Sequence, residues 1–217
     1  MLQKLITYNE PFWRQNAQGD LDAPSVFSYV ENNSYVCLSA PHATQSFAHK
    51  KVKQSDLFTG SIVTYVAKEK NFSYIVRNKF VAQKCLINDF ILENHLENHF
   101  FLDIHAMKDG NGFDLAIGTG YLLPQEYKHE LEYIDALCRQ FGLAYVINHE
   151  NYTGRAGLTG RLQKQTGKAN VLQLEWRRGF RDIFTHPDAV CQITIPFISA
   201  LAQEIEDHNR QINRQAI

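Results

Sequence analysis

The stretch FLDIHAMKDGNGFDLAIGTG, Phe101–Gly120, carries an apolar run that closes on a histidine, a glycine-bearing turn, and a second apolar run that opens beside an acid. Short apolar runs bounded by turn residues read as buried strands, here Phe100 to Ile104 and a further extended piece from Phe113 to Ile117. His105 then falls where a buried strand ends. It is either a histidine satisfied beside the core or a metal ligand, and the surrounding chain has to decide.

Working outward, the same strand pattern recurs at Ser34–Ser39, Phe72–Val76, Leu143–Ile147 and Val171–Trp176. Between these runs lie helical patterns. One runs from Asp56 through Tyr65 with Ser55 as its cap, and a second covers Phe80 to Leu92. A third starts at Pro124, which suits a first helical turn, and stops near Gly142. Pro187 to Asn213 reads as mostly helix, with a break expected at Pro196. The glycine-rich passage Thr153–Gly160 reads as a long loop with room for one helical turn. This alternation predicts an α/β three-layer sandwich in which a mixed, largely parallel sheet has helices on both faces. No repeat or linker divides the chain, so residues 1–217 are expected to form one domain.

Composition narrows the functional classes. The chain has 217 residues, is 44% apolar and has a formal net charge of −1, which suits a globular protein with a full core. That charge balance gives no reason to expect nucleic acid or an anionic membrane as partner. The basic run His49-Lys50-Lys51-Val52-Lys53 reads as a solvated face. The N-terminus lacks the apolar run of a secretory signal, and no stretch approaches the ~20 apolar residues of a membrane helix, so a cytoplasmic location is expected. The four cysteines, Cys37, Cys85, Cys138 and Cys191, stand apart in apolar segments and read as buried thiols in a reducing compartment rather than a zinc cage or disulfide frame.

In open α/β sheets ligands bind beyond the carboxyl ends of the strands. Three strand ends carry chemistry: the first leads into His42, a central one into His105, and the late strand delivers Glu175. Imidazole nitrogen and carboxylate oxygen are the donors a catalytic zinc site uses, with one position left for water. Glu175 in an apolar strand costs several kcal/mol unless it is paired, metal-bound or at an edge.

At these positions the sequence resembles the N-formylglutamate amidohydrolase family. Ser39-Ala40-Pro41-His42-Ala43 is similar to its Ser-x-Pro-His opening, and Leu102-Asp103-Ile104-His105-Ala106 to its Asp-x-His segment. Asp114-Leu115-Ala116-Ile117-Gly118-Thr119, Tyr152-Thr153-Gly154 and Gln173-Leu174-Glu175-Trp176-Arg177-Arg178 resemble the elements that follow, in the same order. The resemblance implies a phosphorylase/hydrolase-like, zinc exopeptidase-like fold and a zinc-dependent hydrolase of small-molecule amides. It makes His42 and His105 metal ligands, Glu175 the general base and Arg178 the cation for an oxyanion or a substrate carboxylate.

The resemblance leaves the third ligand open between Asp56, Gln45 and Asp114, with Asp56 first; an acid at a helix start is also what the macrodipole favours. Asp114 is the expected partner that orients His105. Arg77 and Asn78 depart from the family's order but keep a cation, and with Asp114, Gly118, Thr119 and Gly154 they form the expected substrate contacts. The substrate implied is an N-formyl or N-acyl amino acid, acidic by preference. The competing readings are a relative that binds small ligands without hydrolysis, and a nucleotide-binding protein relying on Gly118-Thr119-Gly120.

Overall fold

The computed structural model describes residues 1–48 and 50–215; His49 of the basic run lies outside them. Among the described residues there are nine strands: β1 (Phe27–Val30), β2 (Val36–Ala40), β3 (Ser46–Ala48), β4 (Lys51–Lys53), β5 (Ser73–Arg77), β6 (Phe100–Ala106), β7 (Leu115–Gly118), β8 (Tyr145–Ile147) and β9 (Val171–Trp176). Seven of them build one sheet in the order β1-β5-β2-β6-β9-β7-β8, and β3 pairs with β4 in a separate hairpin. The four central strands β5, β2, β6 and β9 run parallel. β1 is antiparallel to β5, and β7 turns back antiparallel to β9 with β8 parallel beside it. The expected mixed, largely parallel sheet is therefore present.

The helices are α1 (Leu2–Ala17), α2 (Thr59–Lys70), α3 (Ile87–Glu93), α4 (Lys128–Phe141), α5 (Leu158–Thr166), α6 (Pro187–Ala189) and α7 (Ile195–Gln215). They cover both faces of the sheet unequally, and side-chain alternation along the strands shows how. In the central strands the even-numbered residues Val36, Leu38, Leu102, Ile104, Leu172 and Leu174 join the larger core cluster with α2, α4 and α7 residues. The odd-numbered Cys37, Ile75, Phe101 and Val171 join a smaller cluster with Ile87 and Ile91 of α3 and Leu158 and Leu162 of α5. Successive side chains of a strand point to opposite faces, so each strand feeds both layers.

Several elements differ from expectation for local reasons. Helix α3 starts at Ile87 rather than Phe80: Lys79 forms a bridge to Gly19, and residues 80–86 continue from it as irregular backbone with a bend at Ala82 and Gln83. Helix α5 replaces most of the expected loop: Gly154 and Gly157 build its entry turn, with the Gly157 and Gly160 N–H groups donating to the Gly154 carbonyl. The break near Pro196 is a π-helical turn over Val190–Thr194 that merges into α7, a common way for a helix to absorb an irregular hydrogen-bond ladder. Gly142 ends α4 in the left-handed region at φ 66°, as a C-terminal cap requires. The cysteines are free; Cys37 and Cys138 are buried as expected, whereas Cys85 and Cys191 are only partly so. Among the described residues no helix is long and apolar enough to cross a membrane.

Candidate active site

The odd-numbered face changes character along each central strand. After Cys37, Phe101, Val171 and Ile75 come Ser39, Asp103 and His105, Gln173 and Glu175, and Arg77, all buried. Registry makes this a band, because Ser39 pairs with Asp103, Asp103 with Gln173, and His105 with Glu175. Beyond the end of the smaller apolar cluster His105, Gln173, Glu175 and Arg77 line a cavity of about 430 Å³, walled by α3, α5 and the loop between β8 and α5, with Ser39 and Asp103 behind them. Buried polar groups are tolerated only when hydrogen-bonded, and the band supplies its own partners.

His105 is the centre of that network. Its Nδ1 lies 2.9 Å from Asp56 Oδ2 and its Nε2 lies 2.8 Å from Asp103 Oδ2. Ser39 Oγ donates to Asp103 Oδ1 at 2.6 Å, fixing that carboxylate in turn. Burial lowers the pKa of His105, but the charges and hydrogen bonds of Asp103 and Asp56 outweigh it and leave the pKa well above the usual histidine range. Both ring N–H groups therefore donate. Burial would raise the pKa of Asp56, yet the His105 hydrogen bond and the charge of Lys53 hold it below the ordinary carboxylate value.

His42 is partly buried in the turn after β2, its ring centroid 5.2 Å from that of His105. Burial pushes its pKa well below the usual value, so it is neutral. Its main chain is tied to the same site, since the Asp56 N–H donates to the His42 carbonyl at 2.7 Å. Glu175 sits across from His105 and accepts from Gln173 Nε2 at 2.7 Å. Burial raises its pKa to about 7, against the pull of His105.

A neutral imidazole, an ionised carboxylate and a second imidazole backed by Asp103 are the donor types that zinc takes, and a carboxylate on the far nitrogen is the usual support for a ligating histidine. His42, Asp56 and His105 could hold such an ion once His105 gives up the Nδ1 proton that it shares with Asp56. As the side chains stand, no three His, Cys, Asp or Glu groups among the described residues converge on one point that would hold a metal ion. Asp56 and His105 are instead bonded to each other.

The remaining expected residues divide. Arg77 is 3% exposed and lines the cavity. Its Nε and Nη2 donate to the Pro41 and Cys85 carbonyls at 2.8 and 2.6 Å, while Nη1 is buried without a partner. Gly154 also lines the cavity. Arg178 does not face it: the 3-10 turn Arg178–Phe180 directs its guanidinium to Asp182 at 3.0 Å, beside a separate cavity. Asn78 is spent on a turn, receiving from Ser28 and donating to the Ser25 carbonyl. Gln45 donates to the Asn16 carbonyl, away from His105.

Asp114 binds the Ala144 N–H and Arg177, so it neither orients His105 nor touches substrate space; Asp103 has the orienting part. Gly118 and Thr119 are corrected by topology. Because β7 runs antiparallel to β9, with Leu115 opposite Trp176 and Gly118 opposite Gln173, its glycine end points away from the carboxyl ends of the parallel strands. Gly118 is needed instead for close packing: a Cβ there would meet the Thr153 main chain at 2.7 Å. Thr119 is buried and bonded to Asn148 and Leu122. Sequence reasoning missed Asp103 as a partner of His105 and Lys53 as a cation on the cavity wall.

No family model matches the sequence, and no curated protein matches it either. Solved structures do. N-formylglutamate amidohydrolase from Ralstonia eutropha JMP134 superposes with a TM-score of 0.57 at 11% identity, over 85% of this chain and 98% of that one. The chain has the N-formylglutamate amidohydrolase fold. A bacteriophage poly-gamma-glutamate hydrolase shares it with a TM-score of 0.55 at 13% identity, over 89% of this chain and 92% of that one. So does a zinc-free apo form of YndL, with a TM-score of 0.52 at 12% identity over 82% and 92% of the two chains.

Proposed function

We propose that this protein is a zinc-dependent amidohydrolase that cleaves the C–N bond of an N-formyl or N-acyl amino acid, acidic by preference. The observation that carries the reading is Glu175: a buried carboxylate with its pKa raised to about 7, registered opposite His105 on the cavity wall. A base poised near neutrality is what proton abstraction from water at pH 7 needs. His42, His105 and Asp56 would hold zinc, whose contribution when bound is to polarise the scissile carbonyl and acidify water.

The chain's own groups do the rest. Glu175 takes a proton from the attacking water as its oxygen bonds to the carbonyl carbon, and returns it to the nitrogen as the C–N bond breaks. The products are a carboxylic acid and an amine. Arg77 supports the acidic preference, because its free Nη1 is positioned for a carboxylate that would complete its hydrogen bonding. The fold neighbours support the same class: one hydrolyses poly-gamma-glutamate and another is N-formylglutamate amidohydrolase.

Metal analysis of purified protein tests the reading together with a screen of N-formyl and N-acyl amino acids. Zinc near one equivalent, lost in His105→Ala, and turnover lost in Glu175→Gln are the expected results. Metal-free protein that stays inactive after zinc is supplied would overturn the proposal and favour a fold kept for binding alone.

A further inference from the structure

With Arg178 turned to Asp182, the proposed reaction lacks the cation expected where charge develops. Four cationic side chains line the cavity beside Glu175: Lys53, Arg77, Arg155 and Arg161. Each arginine is tethered through its Nε to a main-chain carbonyl, of Pro41, Gly120 and Ala156 respectively. Lys53 differs in two ways. It also lines a second cavity, of about 510 Å³, to which Glu175 and Asp56 contribute as well. Its ammonium, moreover, has few commitments: among the described residues its one ion pair is to Asp56 Oδ1 at 3.9 Å, beyond hydrogen-bond range, and the side chain is 42% exposed.

The hairpin of β3 and β4 puts it there. All three residues of β4 are exposed, so polar ties rather than apolar burial fix this strand. Ser46 pairs with Lys53 across the hairpin, and Ser46 Oγ lies 3.2 Å from His42 Nδ1. Three residues beyond Lys53, the Asp56 N–H donates to the His42 carbonyl. Both strands are thus moored to the turn that carries His42, and Lys53 is held at the edge of the site. Its charge favours the neutral form of His42 and the ionised forms of Asp56 and Glu175.

Charge has to move at this place. As the oxygen of water bonds to the carbonyl carbon, its proton passes to Glu175 and the carbonyl electron pair withdraws onto oxygen. One negative charge leaves the carboxylate and one appears on the oxyanion. When that pair returns, the C–N bond breaks and Glu175 gives the proton to nitrogen. A cation already fixed beside the base stabilises the charge after transfer without reorganising. We infer that Lys53 is the catalytic residue that donates to the scissile carbonyl oxygen as it becomes an oxyanion, the part that the family resemblance assigned to Arg178. The inference rests on the hydrolase reading above and adds to it a residue outside the motifs of that resemblance.

The test compares zinc-supplied wild type with Lys53→Met, which keeps the length and removes the charge, and with Lys53→Arg, which keeps the charge. On N-formylglutamate and N-acetylglutamate, kcat should fall on the order of 100-fold in Lys53→Met with little change in KM, and Lys53→Arg should recover part of it. Zinc content and Tm should stay as in wild type. A kcat near the wild-type value, whatever the KM, would overturn the inference, and so would loss of zinc in Lys53→Met, which would make Lys53 a support for Asp56 instead. Inactive wild type would overturn the hydrolase reading, and calorimetry then reads Lys53 without turnover. The probe is N-(methylphosphonyl)glutamate, a tetrahedral anion that copies the intermediate of N-acetylglutamate. At least tenfold weaker binding of it to Lys53→Met, with binding of N-acetylglutamate unchanged, supports the inference; equal binding, or none to either protein, overturns it.

Discussion

Replacing Glu175 by Gln should make the protein more stable at neutral pH while removing its proposed activity. The folded environment raises the Glu175 pKa from 4.5 to about 7, with burial the leading cause. One unit corresponds to about 1.4 kcal/mol, so the fully ionised carboxylate is disfavoured by about 3 kcal/mol relative to the unfolded chain. The native state binds the proton more tightly than the unfolded state, so this group's contribution to stability falls as pH rises from 4.5 to 7. Glutamine does not titrate and can still bond Gln173. Urea denaturation of the metal-free proteins, in chelator, should give variant and wild type similar free energies at pH 4. At pH 8 the variant should be ahead by about 3 kcal/mol. A difference that does not change with pH, or a wild type gaining on the variant as pH rises, would refute the argument.

Other outcomes follow from the same geometry. Activity should rise with pH through about 7 as Glu175 ionises, read from the pH profile of kcat/KM. Zinc at a hundred times its Kd should raise the unfolding free energy by about 2.7 kcal/mol, and His42→Ala should abolish that gain. Asp103→Asn should drop the His105 pKa toward its ordinary value, measured by NMR titration, because Asp103 supplies both a charge and a hydrogen bond. Gly118→Ala should cost about 1–3 kcal/mol by thermal denaturation, since the new methyl would press on the main chain of Thr153.

Much of the sheet could be read from sequence because the central strands are apolar and short. Val171–Trp176 coincides with β9, and Phe100 begins β6 as expected. His105 and Glu175 were visible as polar residues closing such runs, and they do meet across β6 and β9. The hairpin of β3 and β4 was not, because three exposed residues in β4 carry no apolar signal. Helix α5 was hidden by glycines that mark its entry turn as readily as they mark a loop. The misassigned residues share another cause. Nothing local in Asp114-Leu115-Ala116-Ile117-Gly118-Thr119 says that its strand runs against its neighbour, and direction alone decides which end meets the site. Arg178 likewise depends on a partner four residues on, Asp182, which competes for its charge.

The alternation of the central strands has a consequence for how this protein can change. Along β2, β6 and β9 the even positions answer to folding, while the odd positions near the carboxyl ends answer to chemistry. Two kinds of selection are thus threaded through the same few residues without competing for them. A lineage can rewrite the polar band for a new substrate and leave the thick layer untouched, or repack that layer and keep the reaction. Architectures partitioned this way can retain a shared outline after sequence likeness has eroded to the 9–13% identity seen among these folds.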